Sequence, residues 1–303
     1  MKTSACAVLL AAHGTVDSLE DLPELLANIR RGKPAPAEVL HEVRRRYEAI
    51  GGQSPLNAIN RELAKKLEAK LGCDVRLANR LFRPYPKDVL AELASRGATE
   101  IVTVPLAQHS AHVYGASVAE AARELPAIRR VLAAPNWGRT PALTRAFAAE
   151  IVRALERVRN TRNAAVVLSA HSLPKAVIAG GDAYETEFRA SAADVARAVR
   201  ERVAFGEDVV AFQSQGMSGG EWLGPDLAAA LESLAKRGVK EVVLAPIGFL
   251  ADHVEILYDL DIEAKALAEG LGIVTYRSAS LNANDALVDV LASVVENVRT
   301  GGR

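Results

Sequence analysis

The chain has 303 residues, 50% hydrophobic and 24% charged, the balance of a globular protein long enough for two domains of roughly 150 residues each. Its 37 basic residues offset its 37 acidic ones, which removes any overall electrostatic case for nucleic acid or anionic membrane as partner. Cys6 and Cys73 are the two cysteines, in neither CxxC spacing nor a disulfide framework, which fits a reducing, cytoplasmic compartment, and no apolar run reaches the ~20 residues of a membrane span.

The opening MKTSACAVLLAA has the positive start and small-residue exit of a short signal peptide. Its apolar core returns mid-chain as AVVLSAH (165–171), where no signal peptide lies, so both segments read as buried strands. Beyond 5–12, helical periodicity covers 36–49 and 56–71, a short apolar run at 74–78 reads as a strand, 86–95 as a helix and 100–105 as a strand. A break at PNWGRTP (135–141) divides the chain into predicted domains 1–138 and 139–303. The second half repeats the alternation, with helix 141–158, strand 164–169, helix 192–203, strand 209–212, helix 225–236, strand 241–246, helix 252–269 and strand 272–276. A last helix, 284–298, is expected to pack back on the N-terminal domain. Short strands separated by helices predict an α/β protein of two similar Rossmann-like domains with parallel sheets and a cleft between them.

That similarity is visible in the residues. Setting 84–113 against 225–254 makes eleven of thirty positions identical, among them Leu90/Leu231, Leu93/Leu234, Arg96/Arg237, Gly97/Gly238, Glu100/Glu241, Pro105/Pro246 and His112/His253. A second echo aligns AVLLAAH (7–13) with AVVLSAH (165–171), placing His13 and His171 at equivalent strand ends. Ligands of open α/β sheets bind beyond the carboxyl ends of strands, where His13, His109, His171 and the 248–255 stretch all fall.

A histidine at a strand end is by default a hydrogen-bonded structural residue; a neutral imidazole is also a ligand for borderline metals and a proton acceptor near neutral pH. Glu255, Asp259 and Glu263 recur at i, i+4, i+8, one acidic row on an α-helix, which is either a solvated face or a path for cations and protons. His253 reads as structural support. Basic residues gather at Arg30, Arg31 and Lys33 and at Arg44, Arg45 and Arg46; without interleaved aromatics they suit carboxylates better than nucleic acid. There is no P-loop, no GxGxxG after the first strand and no HExxH, so a metal reading rests on dispersed histidines and acids.

Five segments together, IRRGKPAP (29–36), RYEAIGGQSPL (46–56), SAHSLP (169–174), EWLGPD (221–226) and PIGFLADHVEILYDLDIEAK (246–265), resemble the signature segments of ferrochelatases, nearest to the bacterial form acting on coproporphyrin III. The resemblance implies a two-domain enzyme inserting Fe²⁺ into coproporphyrin III or protoporphyrin IX in heme biosynthesis, with porphyrin and ferrous iron as partners, no prosthetic group, and a monomeric or weakly dimeric state. By motif match His171 and Glu255 are the catalytic, metal-binding pair, Asp259 and Glu263 the metal or proton path, and Arg30, Arg31, Arg46, Ser54 and His109 substrate contacts. His13 stands where such enzymes carry the tyrosine of a YGTP segment, an axial iron ligand, and is expected to take that metal position. A cobalt chelatase acting on a sirohydrochlorin-like tetrapyrrole, whose family opens with a similar strand–HG motif, and a non-catalytic heme or porphyrin carrier are the two alternatives.

Overall fold

The computed structural model describes residues 6–216 and 219–301. In chain order the first half contains β1 (Cys6–Ala12), α1 (Leu22–Ile29), α2 (Ala37–Ala49), α3 (Leu56–Leu71), β2 (Val75–Asn79), α4 (Pro86–Ser95), β3 (Glu100–Pro105), α5 (Ala111–Ala122) and β4 (Arg130–Ala133). The second contains α6 (Pro141–Leu155), β5 (Ala165–His171), α7 (Lys175–Ala179), α8 (Tyr184–Arg200), β6 (Glu207–Gln213), α9 (Leu227–Lys236), β7 (Glu241–Ala245), α10 (Val254–Tyr258), a π-helical segment (Asp259–Ala264), α11 (Lys265–Gly270) and β8 (Val274–Arg277), and α12 (Asp285–Thr300) ends the chain. Two compact units result: Met1–Trp137 with Asn282–Arg303, and Gly138–Leu281. In the first, α12 packs on α3, β3 and β4.

Each unit is built on one four-stranded parallel sheet, in order β2-β1-β3-β4 in the first and β6-β5-β7-β8 in the second. The same order of corresponding strands is the structural form of the sequence repeat. Parallel strands buried on both faces need continuous apolar runs, and β1 (Ala7 to Leu10, all 0% exposed) and β5 supply them. The repeated residues explain themselves in pairs. Leu90 and Leu93 on α4, like Leu231 and Leu234 on α9, are fully buried against their sheets. Gly97 and Gly238 end those helices at φ +91° and +83°, a left-handed backbone open to glycine without a Cβ clash. Arg96 reaches Asp74 ahead of β2 at 2.9 Å and Arg237 reaches Glu207 at the start of β6 at 2.9 Å, the same tie from helix end to edge strand.

Several elements differ from expectation. The strand expected at 5–12 starts outside the described residues and is seen from Cys6. The helix expected at 192–203 starts eight residues earlier, at Tyr184. Helices α1, α5 and α7 and strand β4 are additional to the reading. The single helix expected over 252–269 is three segments, α10, the π-helical turn and α11, with consequences for the site.

Candidate functional site in the second unit

Strand β5 ends on His171, whose carbonyl accepts the Tyr184 hydroxyl of α8 at 2.8 Å. Its partner lies 84 residues on in the chain, so the loop after β7 must come to it. Gly248 makes this possible. A Cβ on Gly248 would lie 2.3 Å from the Ala170 Cβ, so only glycine lets the loop press on β5, where its N–H donates to the Ser169 carbonyl at 2.9 Å. Behind that contact the buried Ser169 hydroxyl donates to the Gln213 side-chain oxygen at 2.8 Å, and the Gln213 amide donates to the Glu255 carbonyl at 3.1 Å. Strands β5 and β6 and the first turn of α10 are thereby locked together, and the Glu255 carboxylate arrives 3.2 Å from His171 Nδ1. Gly248→Ala is expected to lower stability by about 1–3 kcal/mol, the usual cost of overpacking, and to loosen this contact; an unchanged Tm and an unchanged His171 NMR titration would contradict the close-approach account.

A carboxylate only accepts, so the Nδ1 facing Glu255 carries the hydrogen and neutral His171 keeps its basic lone pair on Nε2. Burial works against the charged imidazole, yet the Glu255 charge and hydrogen bond, with Asp259 adding to them, outweigh it and raise the His171 pKa above 6.5. For Glu255, burial pushes upward but the His171 charge and hydrogen bond, helped by His253, hold the carboxyl well below 4.5. His253 sits 3.5 Å from the same carboxylate oxygen, with Nδ1 3.0 Å from the Ala251 carbonyl and its ring 4.9 Å from Phe249.

The π-helical turn revises the acidic row. Its wider turn breaks the i, i+4, i+8 alignment of an α-helix. Asp259 is turned inward, 5% exposed, and accepts a short hydrogen bond from the Ser214 hydroxyl, while Glu263 lies exposed. Ser214 itself holds φ +59°, an uncommon backbone for a non-glycine residue, at the end of β6. Arg277, at the end of β8, braces the segment from behind, donating to Asp252 at 3.0 Å and Asp261 at 2.7 Å on either side of Glu255. Ser214, Gln213, Ser169 and Arg277 were not singled out in the sequence; the end of the β6 run, directly before the QSQG turn, was the one available signal.

The remaining predicted residues lie in the first unit. His13 is exposed at the end of β1, with Nδ1 3.3 Å from the Tyr114 hydroxyl. Arg30 and Arg31 are exposed; Arg30 Nε donates to the Pro34 carbonyl at 3.3 Å and Arg31 holds φ +57°. Arg46 Nε lies 2.8 Å from Glu42, whose carboxyl the Arg45 and Arg46 hydrogen bonds pull down to about 2. Ser54 and His109, expected at the substrate edge, are each only 2% exposed. The Ser54 hydroxyl accepts from the Leu56 N–H at 3.5 Å, a local turn contact, and burial pulls the His109 pKa down to about 4, so that imidazole is neutral at physiological pH. Among the described residues no group of three or more His, Cys, Asp or Glu side chains is arranged to hold a metal ion, and His171 with Glu255 is a pair of potential donors.

With that geometry in place, similarity to known proteins is informative. A family model described as Ferrochelatase matches residues 5–299. The ferrochelatase of Acidobacterium capsulatum is 36% identical, over 96% of this chain and 94% of that one. The coproporphyrin III ferrochelatase of Geobacillus kaustophilus is 34% identical over 97% and 96%, and that of Bacillus subtilis 31% identical over 97% and 98%. Among solved structures, SirB from Bacillus subtilis with Fe³⁺ superposes with a TM-score of 0.61 at 15% identity over 98% of both chains, and CbiX, described as the terminal enzyme for biosynthesis of siroheme in denitrifying bacteria, with 0.55 at 16% identity over 96% and 98%. At those identities the two structures speak to the chelatase fold alone. No helix among the described residues is long and apolar enough to cross a membrane.

Proposed function

This chain belongs to the ferrochelatase family, enzymes that insert Fe²⁺ into a porphyrin in heme biosynthesis, and from that premise we propose that the two pyrrole protons displaced by iron leave one after the other through His171 Nε2, the first passed on to solvent before the second arrives, while Glu255 stabilises the imidazolium that forms each time. The observation that carries this reading is the 3.2 Å contact between His171 Nδ1 and Glu255, because it fixes the tautomer that leaves Nε2 basic. Metallation requires two pyrrole protons to leave and the nitrogen lone pairs to tilt out of a flat ring. Binding energy from the porphyrin carboxylates, remote from the reacting nitrogens, offsets that distortion. Arg30, Arg31 and Arg46 are the proposed anchors, and a porphyrin carboxylate would compete with Glu42 for Arg46. Ser54 and His109 would support that edge from beneath its surface. Iron is substrate here and no prosthetic group is needed; in the second unit His171 and Glu255 are the proposed metal contacts and Asp259 and Glu263 the proposed path for protons or metal, and in the first unit His13 is a further proposed metal donor.

Coproporphyrin III is the proposed porphyrin. Relatives bearing that name match over nearly their full length, and a cluster of arginines suits a substrate with four carboxylates. A cytoplasmic monomer or weak dimer is the proposed working form. The test is an anaerobic insertion assay with Fe²⁺ and Co²⁺ against coproporphyrin III, protoporphyrin IX and sirohydrochlorin. Fe²⁺ with coproporphyrin III is expected to give the highest kcat/KM; faster Co²⁺ insertion into sirohydrochlorin, or heme binding without turnover of any porphyrin, would replace this reading with one of the alternatives.

A further inference from the structure

Cys6 and Cys73 are the chain's two cysteines, far apart in sequence, yet both face one nitrogen: Arg299 Nη2 lies 3.7 Å from the Cys6 sulfur and 3.3 Å from the Cys73 sulfur. The sulfurs are therefore at most about 7 Å apart, the sum of those two contacts. Strand register says why they meet. Val8 of β1 pairs with Val75 of β2 and its N–H donates to the Asp74 carbonyl at 2.8 Å, so the turn that holds Cys73 enters β2 next to the start of β1, where Cys6 lies. Cys6 is held in the ladder, where it also neighbours Glu100 of β3, while Cys73 lies in the turn between Gly72, which caps α3, and β2, free of both ladders. Both side chains are partly accessible and neither is in a disulfide.

We propose that Cys6 and Cys73 are a reversible thiol–disulfide site, oxidised by low-molecular-weight disulfides and reopened by thiols, independent of the insertion chemistry. The guanidinium of Arg299 favours the thiolate form of a sulfur beside it. Cys73, in the turn outside both ladders, is the sulfur an incoming disulfide reaches with least backbone constraint and is taken as the attacking one, while Cys6 is held in β1 and burial pushes its thiol up. In the first step the Cys73 thiolate attacks one sulfur of RSSR, forming a mixed disulfide and expelling RS⁻. In the second, Cys6 sulfur attacks the Cys73 sulfur of that mixed disulfide and expels the second RS⁻. The two cysteines lose two electrons and two protons, and RSSR becomes two RSH. The bond closes the loop that carries α1, α2 and α3 and converts the two sulfurs that Arg299 Nη2 faces from thiols to a disulfide, leaving the Nη1 contact with Glu296 in place, so oxidation changes how the C-terminal helix is tied to the sheet.

The test is intact mass and thiol counting on the full-length protein exposed to oxidised glutathione. Wild type is expected to lose two hydrogens and both titratable thiols, to recover them in dithiothreitol, and to show a higher Tm when oxidised. C6S and C73S are each expected to retain iron-insertion activity and to stop at a single stable glutathione adduct. Arg299→Gln is expected to oxidise several-fold more slowly. Wild type that keeps both thiols, or that accumulates glutathione adducts without the internal bond, overturns the proposal, and it does so whatever the outcome of the insertion assays.

Discussion

Replacing His171 with alanine is expected to lower kcat for iron insertion by about two to four orders of magnitude, the usual contribution of a positioned proton acceptor, with porphyrin affinity held within a few-fold. The split follows from geometry. The proposed anchors Arg30, Arg31 and Arg46 belong to α1, α2 and the segment between them, while His171 ends β5, so the grip on the porphyrin carboxylates is expected to survive its loss. What is lost is Nε2, the one imidazole nitrogen in the His171–Glu255 pair left basic by the Nδ1 contact. In the intact pair Glu255 is held well below 4.5 by His171 and is a poor proton acceptor; with His171 gone burial raises it, and the residual rate of the variant is the part this carboxylate can take over. Porphyrin fluorescence quenching measures affinity and single-turnover metallation measures the chemical step. A variant that keeps insertion within threefold of wild type removes His171 from the proton-accepting role; one that loses porphyrin binding in parallel makes it a structural residue instead.

How much of this was readable beforehand depends on whether a residue's role is local. The repeat was legible because Leu90, Leu93, Leu231 and Leu234 are core residues at corresponding positions of α4 and α9, and core positions leave their periodicity in the sequence. Helix α5 was hidden by its composition: Gly115 interrupts AHVYGASVAEAA, and its reason, the Ala133 side chain 3.0 Å from where a Cβ would stand, is tertiary. Strand β4 is four residues at a sheet edge with half-exposed sides, too short for an alternation to register. At the site, strand ends pointed to His13 and His171, but nothing in spacing pairs His171 with Glu255. That pairing depends on β7 lying beside β5 and on Gly248 allowing the loop to fold over β5; the sequence reached it through family resemblance. The acidic row expected of Glu255, Asp259 and Glu263 does not form as one face, because i, i+4 spacing presumes an α-helix and the π-helical turn carries Asp259 inward while leaving Glu263 outside. Ser214 reaching Asp259 across 45 residues is likewise a product of sheet register.

Glu255→Gln separates the electrostatic from the positional role of the pair. Glutamine keeps the size and an oxygen for the Nδ1 hydrogen but removes the charge that, against burial, raises His171 above 6.5. With that charge gone burial prevails, and the His171 titration, followed by NMR on metal-free protein, is expected to drop below 6.5. Since only neutral His171 accepts a proton, the wild-type rate falls as pH decreases through the raised pKa, and in the variant this acid limb moves to lower pH. The plateau moves the other way: the imidazolium formed on proton transfer loses its counter-charge, and kcat is expected to fall by about 10²-fold, typical for removal of one preorganised electrostatic partner. Stability has its own window. The raised His171 contributes fully below pH 6.5 and its contribution is lost as pH rises through the folded-state pKa. Glu255, held low, contributes above pH 4.5 and its contribution is lost as pH falls through its depressed pKa. Both are complete between pH 4.5 and 6.5, so urea unfolding should show its largest wild-type-to-variant difference there and a shrinking one on either side. An acid limb that stays in place, or a stability difference flat from pH 4 to 9, would mean that Glu255 holds His171 by shape and not by charge.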